Sequence, residues 1–511
     1  MLERRISLYL VIFVFSVYLL TTSGTTTFVT LDGMVRLEVV KKFTSELRFD
    51  VPAKFGAGFA LRGADGKFFD PHELGHALFS VPFYMAGQKA GNPKFFLSLL
   101  NPLALALAAV VFYRLSLAVG YSHSTSVTLT LVLALCTQLW PESKSPFDHS
   151  LETLFCLGAF YKAYQHRQTG TNSSLMASGL FVGLALMTRT TSVLIGFSLG
   201  ALIIAGARET GRGTTTARIL KKVGLFLLGL LPGLAVALGY NSLRFGSVLT
   251  TGYARWSQFH HVEPFSYPMW KGLLGLLISP GKGLLLYCPI LVMTIPAYKR
   301  FFVWRKGLAL VLVLLVFPYL ILLSKYIAWH GDFAWGPRYL TVLLPFLILP
   351  LGLLFEEGWC RSVLRRTMIW GLIILSFLIQ LMAVAIDMNV FSLRAQTAGI
   401  LNPDFAWRTY AIPDSFYFRM ENSPIIARIY EIRDAFQCGH SHETDSNPDL
   451  AGIIKTPQRD PEIDFWWSQL LTDKSPDLLL AVTLLLVGLA LAAVQLRFLV
   501  RSSVAVRRGS G

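Results

Sequence analysis

"LERRISLYLVIFVFSVYLLTTSG", residues 2–24, carries Glu3, Arg4 and Arg5 and then no further charge. An uncharged apolar run of about 18 residues is long enough to cross a bilayer as a helix. The same stretch has the outline of a signal peptide. No small-x-small cleavage site follows it, and more apolar runs do, so it reads as a retained first helix. Further runs fall at about 95–118, 124–140, 149–165, 175–188, 193–206, 223–241, 284–298, 307–324, 339–355, 367–386 and 477–496. The chain has 511 residues, 53% hydrophobic and 15% charged, whereas a soluble domain is nearer 25% charged. The expected fold is an all-α polytopic membrane protein of about 12 transmembrane helices, with a range of about 10–13. The pair at 175–206 is short for two crossings and reads as a tilted or partial hairpin.

Charge sets the orientation. With the N-terminus inside, the inner segments are 1–5, 119–123, 166–174, 207–222, 299–306, 356–366 and 497–511, and they hold 19 Lys or Arg against four Asp or Glu. That leaves 27 of the 46 basic residues and 26 of the 30 acidic ones for the rest of the chain. The excess predicts cytoplasmic termini by the positive-inside rule. The net charge of +16 is therefore spread over many inner loops. No basic stripe with interleaved aromatics points to nucleic acid. Cys136, Cys156, Cys288, Cys360 and Cys438 show no pairing or C-x-x-C spacing, so no disulfide framework or cysteine–zinc site is implied.

The other face collects the unusual polar stretches. They are "TLDGMVRLEVVKKF" (30–43), "DGKFFDPHELGH" (65–76), "PESKSPFDH" (141–149), "TRTT" (188–191), "RFGSVLTTGYARW" (244–256), "SPGKG" (279–283) and "WHGDFAWGPRY" (329–339). Seven loops bring charges, glycines and aromatics to one membrane surface, which predicts a single site assembled from many segments. The division expected is a transmembrane catalytic module at 1–386 with its large outer loop at 23–94, an extracytoplasmic segment of unknown role at 387–476, and a last helix with a basic tail at 477–511. Within the first loop, Val35, Val39, Phe43 and Leu47 share a helical stripe opposite Lys41, Lys42 and Glu46. That is an amphipathic helix, suited either to the membrane interface or to packing on neighbouring loops.

HELGH, His72–His76, fits H-E-x-x-H letter for letter. On one helix, His72 and His76 would share a face and bind zinc, with Glu73 as general base. "FDPHELGH" also reads as a helix start, with Asp70 as N-cap, Pro71 at the first position and Glu73 three residues after the cap. Pro82 then stands where the metzincin pattern needs its third histidine, and no third ligand is near in sequence. The zinc protease stays as an alternative. A lipid or solute transporter is the non-enzyme alternative, although no internal repeat is present and most charges lie at one surface.

"DGKFFDPHELGHALFSVPFYMAG" resembles a stretch of the bacterial GT-C glycosyltransferases near the protein O-mannosyltransferase type, through Asp65, Gly66, Lys67, Phe68, Phe69, Gly75, Pro82, Phe83, Tyr84 and Gly87. His72, Glu73 and His76 fill places where that pattern varies. Asp32, after the first span, resembles the superfamily's first-loop acidic residue. "GLFVGLALMTRTTSVL" resembles a later span, with Thr190 where Pro is common, and "FGSVLTTGY", "LISPGKGLLLYCPIL" and "WHGDFAWGPRYLTVLLPFLILP" follow in the same order. The resemblance runs from residue 1 to about 356. It implies a GT-C-like bundle that transfers a sugar, with inversion, from a polyprenyl-phosphate donor to a glycan, lipid or protein acceptor on the extracytoplasmic face. A bacterial inner membrane is the expected location.

Such a step needs a base and cations. Asp32 is the first candidate base and Asp65 the second; the competing roles are helix N-cap for Asp32 and turn residue for Asp65. Arg338, Lys282 and Arg189 are the candidates for the donor phosphate, through charge-assisted hydrogen bonds, with His149 and His330 as further candidates. The alternative role of the cations is snorkelling to headgroups. No cofactor is called for, and room is left for a divalent cation.

Overall fold

Inside a bilayer every backbone N–H and C=O must be satisfied within the chain, and helices do this locally. A computed structural model describes residues 1–23, 30–57, 59–208, 216–332, 334–356, 362–391, 414–437, 444–447, 456–458, 463–468 and 476–509. Seven helices among them are long and apolar enough to span: Leu2–Thr21, Pro93–Val119, Thr216–Phe245, Lys306–Lys325, Arg338–Glu356, Val363–Ala385 and Leu479–Arg501. The chain is an integral, polytopic α-helical membrane protein. The other expected spans take different forms. His123–Leu135 and Asn172–Leu186 are shorter apolar helices. His149–Thr169 is long but carries several polar groups. The stretch expected at 284–298 is broken into Leu284–Tyr287, a 3-10 turn at Pro289–Met293 and Thr294–Trp304. Pro289 lacks an N–H and its ring blocks continuous helix there. Most of 387–476, together with Cys360 and Cys438, lies outside the described residues.

Small residues fix the tightest helix pair. Gly179 and Gly183 of Asn172–Leu186 face Gly229 and Gly233 of Thr216–Phe245. A Cβ on Gly179 would stand 1.9 Å from the Phe226 carbonyl, and one on Gly233 would stand 2.2 Å from the Gly183 backbone. Both helices thus carry a G-x-x-x-G face that lets the two backbones touch. Polar side chains add ties across the bundle. Tyr18 donates to the Ala134 carbonyl at 2.8 Å, and Ser178 to that of Ala159 at 2.8 Å.

The long connection after the first span forms its own small core. Leu31–Glu46 is a helix whose Val35, Val39 and Val40 are buried with Val51, Phe55, Leu74, Ala77 and Tyr84. The amphipathic stripe therefore packs on neighbouring loop elements, and Leu47, expected on that stripe, is the exposed left-handed residue ending the helix. Asp50–Val51, Phe68–Phe69 and Leu61–Arg62 pair as a three-strand antiparallel ribbon, with Phe69 opposite Asp50 on one side and Leu61 on the other.

Candidate active site

The site grows from helix ends. Thr30, not Asp32, caps Leu31–Glu46, its hydroxyl accepting the Gly33 amide at 3.2 Å. Asp32 sits in the first turn, where the helix dipole favours a carboxylate and no capping role occupies it. The Arg338 guanidinium lies 3.6 Å from Asp32 Oδ2 and donates to Asp332 Oδ2 at 2.9 Å. Its planar face lies over the Phe147 ring, 4.0 Å from the centroid. Arg338 Nε is buried without a hydrogen-bond partner among the described residues. Arg338 is the first residue of the 3-10 turn Arg338–Leu343 that begins the Arg338–Glu356 span, so the charge sits at the end of a span. Gly331 and Asp332 both take the left-handed conformation, at φ 64° and 59°. A Cβ on Gly331 would come within 2.9 Å of Arg338 Cγ, so the loop closes directly over the arginine.

A second charge cluster borders the first. Asp148 receives Arg36 on Oδ2 at 3.1 Å and Arg189 on Oδ1 at 3.0 Å, all three side chains being buried. Burial alone would raise the Asp148 carboxyl, but Arg189 and Arg36 outweigh it and hold the group well below the usual carboxylate range. Arg189 Nε also lies 3.4 Å from Glu152, which takes His149 Nδ1 at 3.2 Å. The His149 ring meets the Tyr339 ring edge-on, with centroids 5.6 Å apart.

HELGH takes a form the sequence did not suggest. The helix begins at Gly75 and runs to Lys89, so His72 and Glu73 precede it and the expected start at Asp70 is incorrect. Asp70 instead turns its carboxylate to the His72 amide, at 2.9 Å, and to His72 Nδ1, at 2.7 Å. That local competition by an Asp side chain stops the helix from starting there. The other ring nitrogen of His72 lies 4.0 Å from Asp32 Oδ1. Burial would lower this imidazole, yet Asp70 and Asp32 outweigh it and raise it. His76 points elsewhere, to Asn101 Oδ1 at 3.3 Å, and burial pushes it down to about 3. Glu73 accepts from the Thr190 hydroxyl and, at 3.2 Å, from the Thr190 amide. The two histidines therefore do not share the helical face that the zinc pattern requires. Among the described residues no group of three His, Cys, Asp or Glu side chains is placed to hold a metal ion.

Lys282 donates to the Ala334 carbonyl at 2.5 Å and lies 5.8 Å from the centre of the Tyr417 ring. Burial, reinforced by nearby Arg338, pushes its ammonium down to about 7. The His330 ring stacks on Tyr417 with centroids 4.5 Å apart. Tyr417 belongs to the short helix Asp414–Phe418, and its carbonyl accepts the Gly281 amide at 2.9 Å. So described residues of the 387–476 segment cover the Gly-rich turn. Asp65 is not part of this gathering. It lies in the turn between two strands of the ribbon, 43% exposed, and pairs with Lys67 at 2.8 Å.

Direct contacts join all seven polar stretches. Asp32 meets His72 and Arg338, Arg36 meets Asp148, Asp148 meets Arg189, and Lys282 meets Ala334. Arg244 closes the set, donating to the Asp70 and His72 carbonyls at 2.7 and 2.8 Å. Sequence reasoning missed Asp148, Asp332, Arg36 and Arg244. Each lies inside a stretch singled out above, but nothing in the order of residues says which arginine meets which carboxylate.

A membrane-embedded helical bundle with a buried, multiply charged site at one end is the class that fold and site define. No protein-family model matches the chain, and no curated protein does. Among solved structures it is similar to ArnT from Cupriavidus metallidurans bound to undecaprenyl phosphate. The TM-score is 0.47 at 14% identity, covering 98% of this chain and 77% of that one. It is also similar to the archaeal oligosaccharyltransferase AglB from Archaeoglobus fulgidus in complex with an inhibitory peptide and a dolichol-phosphate. There the TM-score is 0.45 at 11% identity, with 81% of this chain covered. The chain spans 60% of the length of that oligosaccharyltransferase.

Proposed function

We propose that this protein transfers a sugar from a polyprenyl-phosphate donor to an acceptor at the extracytoplasmic membrane face, as a GT-C-type glycosyltransferase. The observation that carries the reading is the meeting of Asp32 with Arg338, 3.6 Å apart at the end of a span. A carboxylate and a cation at interface depth suit a donor whose tail stays in lipid while its phosphate reaches the loops. Arg338, with Lys282 behind it, binds that phosphate. Asp32 accepts the proton of the acceptor hydroxyl, whose oxygen forms the new bond to the sugar carbon. The bond from that carbon to the phosphate oxygen breaks, and its electron pair leaves with the phosphate, so the configuration inverts. The charge that develops there is stabilised by fixed cations in a dry site, where they act more strongly than in water.

Arg189 lies over the same Tyr339 ring as Arg338, at 5.4 and 5.2 Å, and supports the site from the Asp148 cluster, while His149 and His330 position Tyr339 and Tyr417. Asp65, exposed and paired with Lys67, has no part in the step. The termini lie in the cytoplasm of a bacterial cell. Incubating the purified protein with a panel of polyprenyl-phosphate sugars tests the reading: product from at least one donor, lost in Asp32→Asn, is expected. Bound donor without transfer in the wild type, across the panel, would remove it.

A further inference from the structure

His72 stands between two carboxylates. Asp70 Oδ1 takes its backbone amide at 2.9 Å and its Nδ1 at 2.7 Å. That leaves Nε2 to face Asp32 Oδ1 at 4.0 Å. The side chains of His72, Asp70 and Asp32 are 12%, 5% and 15% exposed, and in such a recess charges act on one another more strongly than in water. The turn that carries the ring is fixed independently. Buried Arg244 donates to the carbonyls of Asp70 and His72 at 2.7 and 2.8 Å. The Gly252–His260 helix abuts the turn so closely that a Cβ on Gly252 would stand 1.7 Å from the Pro71 carbonyl oxygen. Phe59 and Tyr253 flank the ring, with centroids 5.9 and 6.2 Å away. His72 is thus aimed at Asp32 by contacts that do not involve Asp32.

Asp32 meets a different side chain on each oxygen. Oδ1 faces the His72 ring, and Oδ2 lies 3.6 Å from Arg338 Nη1. Arg338 is shared, because its Nη2 also donates to Asp332 at 2.9 Å. A phosphate that engages Arg338 competes with both carboxylates for one guanidinium. His72 is oriented by Asp70 and by the turn that Arg244 pins, so it keeps its place when Arg338 turns to a phosphate. Asp32 and Arg36 reach the ring from the Leu31–Glu46 helix, Asp148 acts on it from the 141–149 stretch, and Tyr253 meets it edge-on. Burial and Arg36 oppose a positive charge on the imidazole, and Asp70 and Asp32 outweigh them.

We propose that His72 is the positioning residue for the base: its Nε2 holds Asp32 Oδ1 and keeps that carboxylate oriented on the acceptor hydroxyl while Arg338 binds the donor phosphate. The proposal rests on the glycosyl-transfer reading. The acceptor proton goes to Asp32, and His72 acts through Asp32 alone. Orientation of this kind matters to rate, since a catalytic group misplaced by about 1 Å can cost on the order of a hundredfold.

Histidine NMR of the full-length protein in micelles tests the pairing, with the signal missing from His72→Gln assigning the ring. In the wild type the ring is expected to titrate above the ordinary histidine value of about 6.5. In Asp32→Asn its pKa should fall by about 1, as when an opposite charge at this range is lost. An unmoved titration in Asp32→Asn would overturn the pairing. Steady-state transfer, from whichever polyprenyl-phosphate sugar gives product with the wild type, tests the role. His72→Gln is expected to lower kcat by about tenfold to a hundredfold and to leave KM for that donor within about twofold, because the phosphate is held elsewhere. His72→Asn places an amide where Nδ1 was, keeps the tie to Asp70, and should lose as much. An unchanged melting temperature shows that the variants fold. Full activity in His72→Asn, or a loss confined to KM, would reduce the histidine to a prop for its own turn and overturn the proposal. No transfer by the wild type with any donor would remove the reaction and the kinetic role with it, while the titration still decides whether the two side chains are coupled.

Discussion

Arg189 and Arg36 hold opposite oxygens of one buried carboxylate, Asp148, at 3.0 and 3.1 Å. Arg36 comes from the Leu31–Glu46 helix and Arg189 from the turn after Asn172–Leu186, so Asp148 locks two distant segments in place. Removing the middle charge leaves Arg36 buried without a carboxylate on it, and leaves Arg189 with Glu152 alone. Asp148→Asn is expected to lose about 3–5 kcal/mol of stability, read as a lower melting temperature in micelles. The carboxyl titrates well below its ordinary value in the folded state. Its contribution is therefore complete above about pH 4, the unfolded value, and is lost only as pH falls towards the folded one. Melting temperature should not respond to this group between pH 5 and 8.

Under the proposed reaction Asp32 is the base and Asp65 a turn residue. Asp32→Asn is expected to lower transfer by about 10²–10⁴-fold with donor still bound, as removal of a general base does. Asp65→Asn, at an exposed turn, is expected to leave the rate within about twofold, since surface changes of this kind stay within about 0.5 kcal/mol. Single-turnover assays on both variants decide this. Equal losses would place the base elsewhere.

Lys282 gives the site a pH response. Its ammonium is pushed down to about 7 by burial and by Arg338. Only the protonated form attracts a phosphate, so apparent affinity should be greatest below pH 7 and fall as pH rises through it. One unit above that value about a tenth of the sites are competent, and the apparent Kd rises about tenfold. Titration with polyprenyl phosphate from pH 6 to 9 reads this directly. Lys282→Arg should flatten the profile, because a guanidinium stays charged over that range.

The contact between Gly183 and Gly233 predicts a packing defect. A Cβ on Gly233 would lie 2.2 Å from the Gly183 carbonyl carbon, which is backbone and has no rotamer to yield. Gly233→Ala is expected to push the two helices apart and cost about 1–3 kcal/mol, measurable by thermal unfolding. Gly224→Ala in the same helix, with open space around it, is the matched control and should be neutral or slightly stabilising.

Much of the architecture could be read from the chain directly. A membrane span is a local property: about twenty apolar side chains in a row favour lipid whatever their neighbours do. Leu2–Thr21 and Val363–Ala385 therefore appear close to where they are expected. That the polar stretches share one end of the bundle was legible too, since charge is counted segment by segment. Helix starts were less so. Asp32 and Asp70 were both open to a capping role, and neither takes it. Thr30 caps, whereas Asp70 binds the amide and ring of His72, which leaves HELGH divided between a loop and a helix.

By itself the sequence determined that this is a bundle of apolar helices with its unusual polar residues gathered at one surface, and that Asp32 and Arg338 both belong to that surface. Only the tertiary structure decided that the two side chains meet, that Asp148 joins Arg36 to Arg189, and that Asp65 stands apart. Apolar transfer energy and helix propensity act within a segment and are written along it. Ion pairing between residues 306 positions apart depends on which helices pack against which, and that emerges only when close-packed faces such as the two G-x-x-x-G stripes select their partners.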